Sequence, residues 1–126
     1  MTAITRRQFS LATSGLVAWP LSQAQSSYPS KAVQLVQGVG GGGNADVVSR
    51  LIALKLGESL KHPVVVEIKS GAGGAIATTY ASKAPPDGHT LVMLTGAHTV
   101  SAALRKNLPY DPVKNFSFIS TVSSFP

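Results

Sequence analysis

The alternation of apolar and polar positions divides the chain into strand-like runs and helix-like runs in turn. Ala32-Val33-Gln34-Leu35-Val36 and Val64-Val65-Val66-Glu67-Ile68 are short, β-branched and bounded by turn residues, as strands are. Between them, Val47, Val48, Leu51, Ile52, Leu54 and Leu56 recur at helical spacing with Arg50, Lys55 and Glu58 interspersed, which predicts a helix from about Asp46 to Leu60. Asn44 is the expected N-cap, with Asp46 in the first turn where a carboxylate interacts favourably with the helix dipole. Together these make one βαβ unit with a right-handed crossover. The small-residue stretch Ala75 to Ala81 has helix length and is stopped by Pro85-Pro86-Asp87-Gly88. Thr90 to Leu94 reads as a third strand, Thr99 to Arg105 as a short helix, Leu108-Pro109-Tyr110-Asp111-Pro112 as a rigid loop and Phe116 to Val122 as a fourth strand. No internal repeat of solenoid type is present.

Each strand-to-helix junction is made of small residues. The first is Val39-Gly40-Gly41-Gly42-Gly43-Asn44-Ala45-Asp46, the second Gly71-Ala72-Gly73-Gly74 and the third Thr95-Gly96-Ala97-His98. Glycines there let backbone amides approach a ligand, and a helix N-terminus favours an anion. In an open parallel sheet such junctions share one edge, at the carboxyl ends of the strands, where ligands bind. Glycines that merely close tight turns would explain one junction well and three in succession less well. The first run, opening at Gly38, also satisfies G-x-G-x-x-G after a strand, with Glu67 near the position of a ribose-binding acid. That pattern leaves a second reading open, an exported nucleotide-dependent oxidoreductase using Gly38, Gly40 and Gly43. No group suited to proton or hydride transfer accompanies it: Asp46 has a helix-dipole role, His98 lacks an evident acidic partner and no G-x-S-x-G elbow occurs.

Thr5-Arg6-Arg7-Gln8-Phe9, a mildly apolar stretch from Leu11 to Leu21 and Ser22-Gln23-Ala24 follow the order of an export signal, and the paired arginines resemble a twin-arginine signal. Thr13, Ser14, Gly15 and Pro20 make the stretch too polar and too short for a membrane span, so no stable membrane anchor is expected. Cleavage after Ala24 would leave residues 25–126 in the periplasm as one small domain or a piece of a larger one. The net charge of +6 includes Arg6 and Arg7, and the remaining Lys and Arg are scattered, which gives no nucleic-acid patch. A modest positive field favours acidic solutes, and solubility alone explains it equally well. The chain has no cysteine, and His62, His89 and His98 show no metal-ligand spacing, so neither a metal nor a cofactor is expected.

From about Tyr28 onward the chain resembles the periplasmic solute-binding receptors of tripartite tricarboxylate transporters, the Bug-type receptors. The resemblance is carried by Tyr28-Pro29-Ser30-Lys31, Gly42-Gly43-Asn44-Ala45-Asp46 with Arg50, Gly71-Ala72-Gly73-Gly74, Ala84-Pro85-Pro86-Asp87-Gly88-His89-Thr90-Leu91, and Leu108-Pro109-Tyr110-Asp111-Pro112 with Phe116. It implies an α/β chain that forms a partial first lobe of a two-lobe periplasmic-binding-protein-like fold, with an open, mostly parallel sheet and flanking helices. It implies a receptor and not an enzyme. The ligand would be a small carboxylate (a di- or tricarboxylate, an amino acid or an aromatic acid) held by main-chain amides of Val39 to Asp46, Gly71 to Gly74 and Thr95 to His98. The partner would be a membrane permease. Where members carry Pro then Phe or Tyr, this chain has Gly38 then Val39, so a more flexible first loop without an aromatic wall is expected. Members run to roughly 300 residues as two lobes, so 25–126 is expected to be an incomplete N-terminal lobe, truncated before the second. A degenerate fragment without activity is the remaining alternative.

Overall fold

The computed structural model of the chain describes residues 27–105 and 107–124. The expected export signal and its cleavage site lie outside them. Strand β1 (Val33–Gln37) is followed by helix α1 (Asn44–Leu60), strand β2 (Val64–Ile68), a tight turn at Ala72–Gly74, helix α2 (Ala75–Ser82), strand β3 (Thr90–Met93) and helix α3 (Gly96–Leu104). The sheet is parallel with order β2-β1-β3: Val33 pairs with Val64, and Gln34 pairs with Thr90. No helix among the described residues is long and apolar enough to cross a membrane.

Strand β1 lies at the centre, and its side chains show on which faces the helices sit. Gln37 reaches Asp46 of α1, whereas Gln34 accepts a hydrogen bond from Tyr80 of α2. Residues 34 and 37 point to opposite faces of a strand, so α1 covers one face and α2 the other. This is the doubly wound arrangement that two right-handed crossovers in opposite directions produce. Val33, Leu35 and Val36 are buried on both sides of the central strand, and Ala53 and Ala77 are the close-packed helix residues above and below it.

Four sequence expectations are corrected. Asn44 is the first residue of α1 and not its N-cap; Gly43 takes that position with an extended backbone and no side-chain cap. The apolar residues of α1 do not form one buried face. Asp46, Ser49 and Ala53 meet the sheet, while Val47, Leu51 and Leu54 are exposed, Leu51 at 58%. Six apolar positions span more of the helix than a single contact with the sheet covers. The segment Phe116–Val122 joins no sheet: only Phe116 is packed, and Ile119 is 80% exposed. Its β-branched and aromatic content gives strand propensity, but a strand exists through pairing, and β3 pairs with β1 alone. Helix α3 also begins at Gly96, close to one turn earlier than expected, with Thr95 as its N-cap.

Candidate functional site

The chain leaves β1 toward α1 on one face and leaves the adjacent β3 toward α3 on the other. Where neighbouring strands part in this way a crevice opens at their carboxyl ends. A cleft of about 10 Å³, room for about one water, lies there. Gly38 and Val39 line it from the first junction, Gly73, Gly74 and Thr78 from the second, and Met93, Leu94, Thr95 and His98 from the third.

At the second junction four consecutive residues have positive φ: Gly71 (131°), Ala72 (50°), Gly73 (65°) and Gly74 (88°). Three of them are glycine, for which this region carries no steric cost. The carbonyls of the turn are already engaged. Gly71 O accepts from Gly74 N at 3.0 Å, Gly74 O accepts from Thr78 Oγ1 at 3.0 Å, and Ala72 O accepts from the Ala75 amide and, at 3.4 Å, from Arg105 Nη2. Two of these bonds use the Gly74 and Ala75 amides, which leaves the Ala72 and Gly73 N–H groups as the turn's donors for an anion.

The first junction presses on the second. A Cβ placed on Gly38 would lie 2.5 Å from Gly74 Cα and 3.2 Å from Ala77 Cβ. Gly38 is therefore a point of backbone contact between two loops. Gly40 and Gly42 have open space around them, and Gly42 has φ +86°. The carboxylate of Asp46, only 6% exposed, accepts from Gly42 N and from Gln37 Nε2, each at 2.9 Å, and pairs with Arg50 Nε at 3.0 Å. The Gly42 amide first and Arg50 second hold its pKa below the ordinary carboxylate value, against the opposing effect of burial.

The third junction is braced from behind. His98 Nε2 donates to Pro112 O at 3.2 Å, which makes Nε2 the protonated nitrogen of the neutral ring, since a carbonyl only accepts. Nδ1 is buried with no hydrogen-bond partner among the described residues. The ring stacks on Tyr110 at 6.1 Å between centroids and meets Phe116 edge-on at 5.9 Å. The Asp111 carboxylate accepts from the Lys114 and Val113 amides, which lower its pKa and stiffen the supporting loop.

Of the residues expected from sequence, Val39, Gly73, Gly74, Thr95 and His98 converge on the cleft. Gly40, Gly41, Gly42, Gly43 and Asn44 form the outer part of the first loop and the start of α1, Gly71 and Ala72 the base of the second turn, and Gly96 and Ala97 the exposed first turn of α3. None of these reaches the cleft wall. Thr78, Met93 and Leu94 lie outside the sequence expectation, and Gly38 stood there only as the opening of the glycine run. Thr78 was legible in principle, standing four residues after Gly74, where a helical hydroxyl meets a carbonyl. None of the four helical N-termini, at α1, the tight turn, α2 and α3, carries a side-chain cap, but at α2 the Gly74 and Ala75 amides are already given to Gly71 O and Ala72 O. Glu67, the acid of the dinucleotide pattern, is paired with Lys69 at 2.7 Å.

Residues 48–126 match the family profile described as tripartite tricarboxylate transporter family receptor. A UPF0065 protein from the TAR-I ttuE-ttuC' intergenic region of Agrobacterium vitis is 36% identical over 116 residues, covering 92% of this chain and 33% of its own length. The periplasmic binding protein BugD superposes with a TM-score of 0.67 at 37% identity, over 71% of this chain and 30% of that one. MatC from Rhodopseudomonas palustris with bound malate gives a TM-score of 0.66 at 39% identity, over 71% and 31%. The chain thus spans about a third of the length of the relatives it matches. The matched family and these structural neighbours are binding receptors, not enzymes.

Proposed function

The chain belongs to the tripartite tricarboxylate transporter receptor family, and from that premise we propose that it is the first-lobe portion of an exported receptor that holds a small carboxylate for a membrane permease. The observation that carries this reading is the convergence of three junctions on one crevice, with carbonyls occupied and N-terminal amides uncapped. A carboxylate there would accept from main-chain N–H groups at Val39 and Gly73 and at the start of α3, with Thr95 Oγ1 as a further donor. His98 would border the same anion. Malate bound to MatC supports a dicarboxylate as the class. In this reading a second lobe closes over the ligand from the opposite side, and the paired arginines Arg6 and Arg7 direct the protein to the periplasm.

Nuclear magnetic resonance titration of the chain with malate, succinate, glutamate and NAD tests the proposal. The expected result is that a carboxylate moves the amide resonances of Gly73, Gly74, Thr95 and His98 at millimolar concentration, while NAD moves none. Movement by NAD alone, or by no ligand, would overturn it.

A further inference from the structure

Asp46 belongs to the same loop, and resting on the carboxylate-receptor reading, we infer that it is a positioning residue which fixes the four-glycine loop from beneath and does not itself meet the ligand. Both of its oxygens are occupied by protein donors: Oδ1 by Gln37 Nε2 and Arg50 Nε, Oδ2 by the Gly42 amide. The side chain is almost fully buried and lies outside the cleft wall. A carboxylate in contact with a carboxylate ligand would also repel it, whereas one enclosed by a guanidinium, an amide and a backbone N–H is neutralised locally.

The sequence Gly40-Gly41-Gly42-Gly43 has no intrinsic conformation, since each glycine loses more freedom on ordering than any other residue. Two features oppose that freedom. Gly42, at φ +86°, is held by its amide to Asp46, and Gly41 has Ile68 Cδ1 at 3.3 Å from where its Cβ would stand. Gln37 completes the device. It is fully buried at the end of the central strand, and its amide ties Asp46 to β1, which transmits the position of the sheet to the loop. Gly42 N–H is consumed in this way, so the loop donors left for an anion are those of its neighbours.

Gln37 Oε1 is buried without a partner among the described residues, and this gives the inference a specific test. In Asp46→Asn the Asn carbonyl can still accept from Gly42 N, and its NH₂ can donate to Gln37 Oε1 once the Gln37 amide turns over, while the pair with the exposed Arg50 is given up. Asn should therefore rescue what Ala loses. The Gly42 amide resonance and its hydrogen exchange are measured first, without ligand, and malate affinity is then measured by titration at constant ionic strength. Asp46→Ala is expected to accelerate Gly42 exchange and weaken malate about tenfold, the loss of one hydrogen bond to a charged group. Asp46→Asn is expected to restore most of both. Wild-type exchange and affinity in Asp46→Ala, or an Asn variant as weak as Ala with the Gly42 amide still held, would overturn the positioning role. Absence of any carboxylate binding by the wild type would instead overturn the receptor reading, and the Gly42 exchange would still report on Asp46. Should the Ala variant not fold, the comparison of Asn with wild type decides: a tenfold loss in Asn with Gly42 still held would mean direct contact.

Discussion

Gly38 shows how a residue can be essential through what it lacks. Because a Cβ there would meet backbone atoms of Gly74 at 2.5 Å, neither loop can yield by rotating a side chain. Gly38→Ala should cost about 1–3 kcal/mol, the range for overpacking a close contact, measured by urea denaturation, and should shift the Gly73 and Gly74 resonances. An unchanged midpoint would show that the second junction yields freely. At the root of the first loop Gly38 is a packed contact. The sequence made glycine visible at 38 but not its partner, since the approach of residues 38 and 74 depends on how two crossovers bring separate turns together. Asp46 was legible as a first-turn carboxylate. Its engagement with Gln37 was not, because a glutamine closing a β-strand has no sequence pattern that marks it as buried.

At the level of elements, β2 was legible to the residue and β1 to within one, because both strands combine β-branched runs with clear turn boundaries. The failures share a cause. Phe116–Val122 and the outer stripe of α1 both carry apolar patterns whose partners are not among the described residues, and local pattern records only the capacity for burial. The contrast within α1 is testable. Leu51→Lys, on the exposed stripe, should change stability by no more than about 0.5 kcal/mol, whereas Ala53→Leu, pressed against the sheet, should cost about 1–3 kcal/mol. Equal costs in thermal or urea unfolding would place a partner on the outer stripe. The bracing of α3 is likewise an element-level feature, since His98 stacks on Tyr110 and meets Phe116 edge-on in the following loop. The aromatic residues stood in the resemblance motif, but their convergence on His98 required the fold.

For the molecule as a whole, the amino-terminal strap is tied to the start of β3 opposite the cleft. Tyr28 Oη donates to Gly88 O at 2.7 Å, Ser30 N donates to His89 Nε2 at 3.2 Å, and Asp87 accepts from the His89 amide and from Lys31. The His89 amide first, then Lys31, lowers the Asp87 pKa from 3.8 to about 2. A depressed folded pKa means that the unfolded chain takes up its proton first as pH falls. The contribution of Asp87 to stability is therefore whole above the unfolded value of 3.8 and is lost between there and about 2. Acid unfolding followed by circular dichroism should show Asp87→Asn already weakened at neutral pH and less sensitive than wild type across that window. Affinity is also a whole-molecule property. One helix N-terminus contributes about 0.3–1 kcal/mol, while micromolar binding needs about 8 kcal/mol, so donors from one side of a crevice should hold malate only at millimolar concentration. Finally, the positive φ values of Gly71 to Gly74 mean that this turn follows the mirror-image preference of the amino acids that build it. D-alanine introduced at Gly73 by chemical ligation should suit the turn and stabilise the chain by about 0.4–1 kcal/mol, whereas L-alanine at the same atom should cost about 1–2 kcal/mol. The stereochemistry of a single methyl group would then set the sign of the effect at Gly73.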